Sequence, residues 1–391
     1  MKLTKLSLAA IVAVGALGSF ASATPLEEAI KGVDVSGFAR LRYEHDTFSP
    51  QGGDDQTGEG IRVSGELNIV APVGDGLAFG TTLATDGWNF PDSQASAPTG
   101  DLGIAVVDGS GSFYFDKYYF VYSGVQDLTV IAGKYTIPAP WAESGFDGAR
   151  GNGVVALYSG VPEWTFAGAL YLQTNGFLDS NLLTPLGNAV GHENLYAVGA
   201  FGKAGPVDLQ IWAASLEKII DTTVYAQAAF AQAGFNVKAQ VNYLKLGDTG
   251  VASFPVADDA GLFYGVEAGY KNDQFFVTAG YTKTDKDQPV YALDDDNDGF
   301  IKFGQQLYYE TTNIPDVATI FAKAGATFDK FGVELGYGLA DFDGDDDASE
   351  IYGLVSYQFA PKFAVELYYS YLDIDNDYEN SQIQLELKYA F

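Results

Sequence analysis

The 391-residue chain has no cysteine, one methionine and two histidines. Without cysteine there is no disulfide, thiolate nucleophile, zinc–cysteine site or iron–sulfur cluster. Two imidazoles leave little for acid–base catalysis. Both His45 and His192 fall in expected outer links, so the chain is expected not to be an enzyme. Basic side chains are also scarce, 21 Lys+Arg against 51 Asp+Glu, for a net charge of −30. Such a chain repels a phosphate backbone, which excludes nucleic acid as a partner. After the first 23 residues no run of 18 apolar residues occurs, so no helix there can cross a bilayer. What is abundant is glycine, tyrosine and phenylalanine, at 46, 25 and 27 residues. That mixture suits many strands joined by tight turns.

Residues 1–23 carry Lys2 and Lys5, then an apolar run, then Ala21-Ser22-Ala23, the small-x-small pattern of a secretory cleavage site. The reading is a signal peptide over 1–23, a short periplasmic segment over 24–32 and one β domain over 33–391. Removing the leader leaves 19 basic side chains against 51 acidic ones, a charge of −32.

Within that domain apolar and polar residues alternate over stretches of about ten, separated by turns, as in strands with lipid on one side and water on the other. Val33, Val35, Ala39, Leu41 and Tyr43 alternate with Asp34, Ser36, Arg40, Arg42 and Glu44. The pattern returns at Ile61–Ile69, Phe235–Tyr243, Leu262–Tyr270, Phe331–Leu339 and Phe363–Tyr371. Placing strands wherever it holds predicts an all-β transmembrane antiparallel barrel of about eighteen strands. Sixteen remains open, because residues 164–232 are Ala-rich and alternate weakly. Short turns near 72–75, 124–126, 272–273, 329–330 and 360–361 interleave with long links near 45–59, 87–110, 138–151, 174–192, 246–261 and 284–318. That is the rhythm of periplasmic turns and outer loops. In the last strand Ile383, Leu385, Leu387, Tyr389 and Phe391 share one face. An aromatic ending such a strand resembles the signal read by the outer-membrane barrel-assembly machinery, which assigns Tyr389 and Phe391 to assembly.

A barrel of sixteen to eighteen strands encloses an aqueous channel, whereas eight strands leave an interior filled by side chains. The expected activity is therefore passive passage of small hydrophilic solutes and ions. Selectivity in such channels comes from charge at the narrowest point. All four arginines lie in the first 150 residues. Arg40, Arg42 and Arg62 project to the water face of two adjacent strands together with Glu66, and Arg150 closes the link at 138–151. That link is expected to fold inward as a constriction loop, setting Glu143 and Asp147 against the basic wall. Simple solvated charge is the alternative reading for all of these. The acidic total favours a modest cation preference. Asp294, Asp296 and Asp298 occupy positions 1, 3 and 5 of an EF-hand-like run with Gly299 at position 6. Gln305 stands at position 12 where a bidentate Glu is needed, and no helices flank the run, so a solvated acidic loop is the favoured reading. Acidic runs in the last outer loops suit divalent cations that bridge lipopolysaccharide. A secreted adhesin or calcium-binding β protein without channel activity is the competing reading.

The leader, the start Thr24–Lys31 (TPLEEAIK) followed by Val33–Gly37 (VDVSG), and Val130–Lys134 (VIAGK) resemble the major outer membrane protein porins of Campylobacter and related epsilonproteobacteria. Trp141–Gly153 (WAESGFDGARGNG) resembles the loop after that family's fifth strand. The resemblance implies an 18-stranded homotrimeric general-diffusion porin. It also implies an inward basic residue at Lys117, although Lys117 falls on the face of apolar Phe115 unless a bulge turns it. Finally, it implies calcium held inside the channel by carboxylates from separate inward loops, which loose alignment places at Asp147, Asp179 and Asp294.

Overall fold

The computed structural model describes residues 32–89, 113–146, 148–175, 193–253, 258–293, 297–308, 314–342 and 347–391. The signal peptide and nearly all of the 24–32 segment lie outside the described residues. The chain forms β1 (Asp34–Pro50), β2 (Gln56–Gly74), β3 (Leu77–Asn89), β4 (Phe113–Val125), β5 (Leu128–Thr136) and β6 (Arg150–Val161). There follow β7 (Trp164–Asn175), β8 (Leu195–Ala204), β9 (Val207–Leu216), β10 (Ile220–Gln232), β11 (Phe235–Leu246) and a short helix α1 (Asp248–Ser253). The remaining strands are β12 (Ala260–Lys271), β13 (Phe275–Thr284), β14 (Ala318–Phe328), β15 (Phe331–Asp341), β16 (Asp347–Ala360), β17 (Phe363–Ile374) and β18 (Tyr378–Ala390).

Each strand pairs antiparallel with its neighbours in sequence, and β1 pairs with β18, so the eighteen-stranded sheet closes on itself. Closure leaves no edge, which is what allows strands to span hydrocarbon. The seam continues one residue past β18, where Phe391 and Gly37 exchange backbone hydrogen bonds of 3.0 and 3.2 Å. Outward alternates such as Leu41, Val63, Val237 and Leu335 are exposed, while inward Ser64, Gln240 and Asn242 are buried. The turns on one end are tight. Ala233 and Gly234 both sit at positive φ, 50° and 87°, a two-residue hairpin whose twist matches its strands.

The strands run further than the alternation indicated at the outer end. The link expected over 45–59 shrinks to 51–55, because β1 and β2 stay paired up to Phe48 and Gln56. Above the membrane both faces meet water, so alternation fades while the backbone ladder continues. His45 consequently lies on β1 and not in a loop.

Strands β7 to β10 show why their alternation was weak. Their inward side carries Tyr171, Leu195, Ala197, Trp212, Ala214 and Tyr225, all buried, while their outward side carries Leu170, Leu172, Val198 and Ile211. A strand apolar on both faces has no period-two signal to read. These inward residues join Val155, Leu157, Leu244 and Phe263 in a continuous apolar core inside the barrel.

Candidate functional site, a partitioned lumen

Two chain segments turn into the barrel. The first joins β5 to β6, and its neck is closed by a bond from Ile137 N to the Ala149 carbonyl of 3.1 Å. Trp141 donates its indole N–H to Asn242 Oδ1 on the inner face of β11 at 2.8 Å. Five residues later Phe146 packs edge-on against Phe38 of β1, ring centres 5.4 Å apart, and Arg40 lies 5.6 Å from the Phe146 ring. Seven strands separate β11 from β1 one way round and nine the other. A five-residue step reaches at most about 18 Å along the backbone, and side chains at each end cover the rest. The segment is therefore a bar across the lumen. Its return is tied by Arg150, which donates to the carbonyls of Gly145 (2.9 Å), Phe146 (3.1 Å) and Gly148 while pairing with Asp116 at 2.9 Å.

The second segment, between β13 and β14, lies alongside the bar and then follows the wall. Leu293 N bonds to the Trp141 carbonyl (2.7 Å), Gly299 N to Pro140 (2.9 Å) and Asp298 N to Ala142 (3.2 Å), while Ser144 N bonds to Asp298 Oδ2 (3.0 Å). Gly299 is required here, since a Cβ would stand 2.3 Å from the Pro140 carbonyl oxygen. Phe300 stacks on Phe263 at 4.9 Å and on Tyr225 at 6.1 Å, and Phe303 packs between Phe321 and Tyr352. Beyond Gly304, the N–H groups of Gln305, Gln306 and Leu307 converge on the buried carboxylate of Glu350 at 2.9, 3.2 and 2.8 Å. Gln306 also reaches Ser370 and Asn380 at 2.6 Å each. Orphaning a buried donor costs about 1–3 kcal/mol, so these bonds fix the segment firmly. Burial pushes the Tyr291 phenol up to about 12.

Opposite this filled region stands a charged wall. Arg42 pairs with Glu386 of β18 at 2.7 Å and with Glu44 at 3.3 Å. Arg40 donates to Ser64 at 2.8 Å and lies 3.9 Å from Glu386. Lys117 pairs with Glu66 at 3.0 Å and with Asp116 at 3.4 Å. Lys117 reaches this face through a bulge. Thr82 pairs with Lys117 but Leu83 with Phe115, leaving Asp116 as the extra residue. The outward residues accordingly change from odd (Phe113, Phe115) to even (Tyr118, Phe120, Tyr122) across it.

Of the residues singled out from sequence, Arg40, Arg42, Glu66, Lys117 and Arg150 come together on this wall, and Arg62 stands directly across from Arg42 in the β1–β2 register. What meets the arginines is an aromatic ring from the bar and acids from the strands, while Glu143 lies half-buried in the bar. Glu386 was readable from the alternation of the last strand, and Glu350 from that of β16. Asp116 was not, because a bulge breaks the period. Asp298 is described, and its carboxylate serves Ser144. Asp147, Asp179, Asp294 and Asp296 lie outside the described residues. Among the described residues no three His, Asp or Glu side chains gather as metal ligands do.

The fold matches solved porin structures along nearly its whole length. Pseudomonas aeruginosa OpdL aligns with a TM-score of 0.68 at 13% identity, covering 92% of this chain and 99% of that one. Acinetobacter baumannii OccAB1 aligns at 0.69 and 12%, covering 92% and 97%. A BenF-like porin from Pseudomonas fluorescens Pf-5 aligns at 0.71 and 12%, covering 92% and 99%. No curated protein sequence matches the chain at a significant level. The closed eighteen-stranded barrel with its apolar outer belt and inward-folded segments is a porin fold, and with the family match over residues 1–388 it makes the chain a multi-pass porin of the outer membrane. The Campylobacter major outer membrane protein family matches residues 1–388, and the chain belongs to that family.

Proposed function

We propose that this porin passes small hydrophilic solutes by passive diffusion, with modest cation preference, along the charged wall and not through the barrel axis. The distribution of inward side chains carries the reading. Arg40, Arg42, Glu44, Glu66, Asp116, Lys117 and Glu386 crowd onto β18, β1, β2 and β4, whereas β7 to β10 turn Tyr171, Leu195, Trp212 and Tyr225 inward. Ions and water follow polar walls and avoid apolar ones. Strand acids hold Arg40, Arg42, Arg150 and Lys117 in pairs, so their positive field is local, while the chain as a whole carries −30. A reversal potential measured in a salt gradient across a planar bilayer tests both parts. Absence of channels removes the porin activity, and anion preference removes the selectivity. Arg40→Ala is expected to raise cation permeation, and Asp147→Asn to lower it.

The same reading extends to assembly. Outward Ile61, Leu367 and Tyr369 form an apolar surface suited to a homotrimer, and cross-linking in native membranes that traps only monomers would count against it. Phe391 makes the last bonds of the seam, so its removal is expected to leave export intact and stop insertion by the barrel-assembly machinery. Heat-modifiable barrels from the truncated chain would refute that role.

A further inference from the structure

The Glu350 carboxylate is fully buried, and four donors converge on it. Oε1 accepts from Gln305 N at 2.9 Å and from the Tyr368 hydroxyl at 3.2 Å; Oε2 accepts from Gln306 N at 3.2 Å and Leu307 N at 2.8 Å. Successive N–H groups aimed at one anion make a nest. Gly304, with φ +85°, supplies the left-handed turn that aims them, and a Cβ there would stand 1.9 Å from Glu350 Oε2. Any side chain at position 304 is therefore strained by the backbone and pushes on the carboxylate.

We propose that Glu350 is a positioning residue whose carboxylate holds the second inward segment flat against β14 to β17 and so keeps it out of the water path; this rests on the porin reading above. Behind the segment is the continuous sheet, carrying Phe321, Tyr352 and Tyr368. A segment released from the nest has no room to move that way. Its freedom is toward the lumen, where it would intermittently obstruct the charged wall.

The nest demands two acceptor oxygens. A glutamine at 350 keeps the shape but presents an amide nitrogen to backbone donors, so it fails where a packing role would be satisfied. Single-channel recording of the purified full chain tests this with E350Q, E350A and G304A, each checked for heat-modifiable migration as evidence of a closed barrel. All three are expected to reach the wild-type open conductance yet to close transiently about tenfold more often, at voltages where the wild type stays open. E350Q as quiet as wild type would overturn the proposal, since packing alone would then suffice. A steady, larger conductance in the variants would also overturn it, because the segment would be leaving the lumen and not entering it. Should E350A fail to close its barrel, E350Q and G304A decide the matter. A wild type without conductance removes the porin reading and this inference together, whereas a conducting wild type beside a quiet E350Q removes this inference alone.

Discussion

Strands β7 to β10 and strands β18, β1, β2 and β4 share a barrel, a hydrogen-bond ladder and an apolar outer face, yet their inner faces have opposite chemistry. One sector buries Trp212, Tyr225, Leu195 and Tyr171 against the bar and the second inward segment. The other lines water with Arg42–Glu386 and Lys117–Glu66 pairs. The difference teaches that a wide barrel need not be an open one. Eighteen strands set the circumference, and the decision about which part conducts is left to what folds inside. The dry sector behaves like the interior of a soluble domain, intolerant of charge. The charged sector accepts charge because each of these cations is partnered: the side chains of Lys117 and Glu66 are each 11% exposed and that of Glu386 9%, so breaking such a pair costs more than breaking one at an open surface.

The sharpest way to break this contrast is one substitution placed in each sector. Ala214→Arg would bury an unpaired guanidinium beside Trp212, at a cost of about 3–5 kcal/mol. Loss of heat-modifiable barrels is expected. Asn68→Arg, inward on β2 beside Glu66, should assemble normally and alter only ion selectivity. Equal assembly of the two would erase the distinction between sectors. Next in size is Gly299→Val. Its side chain would strike the Pro140 carbonyl and separate the two inward segments, costing on the order of 1–3 kcal/mol and pushing the second segment into the lumen, as measured by a lower unfolding temperature and by a smaller size limit for sugars admitted to liposomes.

Much of the barrel was legible because lipid enforces a period of two wherever one face meets hydrocarbon and the other water. β11 and β15 show it, and their boundaries were read nearly as they stand. The dry sector was the least legible region for the same reason: once an inward face packs against protein, Ala197 and Ala214 look no different from the lipid-facing Ala200 and Ala213 on the same two strands. The charged wall was half-legible. Arg40, Arg42 and Glu66 obey the alternation, but their partners are distant in sequence, and nothing local tells Arg42 that Glu386 lies beside it until β1 and β18 close the seam. The role of the second inward segment was hidden by its acidic run at 294–298, which reads as a solvated loop.

Two smaller effects refine the wet side. Glu386→Gln removes the acid shared by Arg40 and Arg42 and should move the reversal potential toward anions by a factor of a few in permeability ratio, with some loss of stability because two largely covered guanidiniums lose their partner. No shift would mean that ions pass elsewhere. Phe146→Ala removes the ring that meets Phe38 and Arg40, a contact of about 0.5–1 kcal/mol. Its expected signature is slight, a modest gain in passage of the bulkiest admitted solutes with no change in unfolding temperature.

The doubly apolar strands carry a consequence for the journey before folding. A porin chain crosses the periplasm unfolded, and there a segment with alternating polarity always offers water half of its side chains. Runs such as Phe166–Leu172, Leu195–Gly202 and Ile211–Ala214 offer almost none, being built of β-forming and small apolar residues. Such stretches pair readily with one another across chains. The sector that fills the finished channel is therefore the one most exposed to aggregation before the barrel closes.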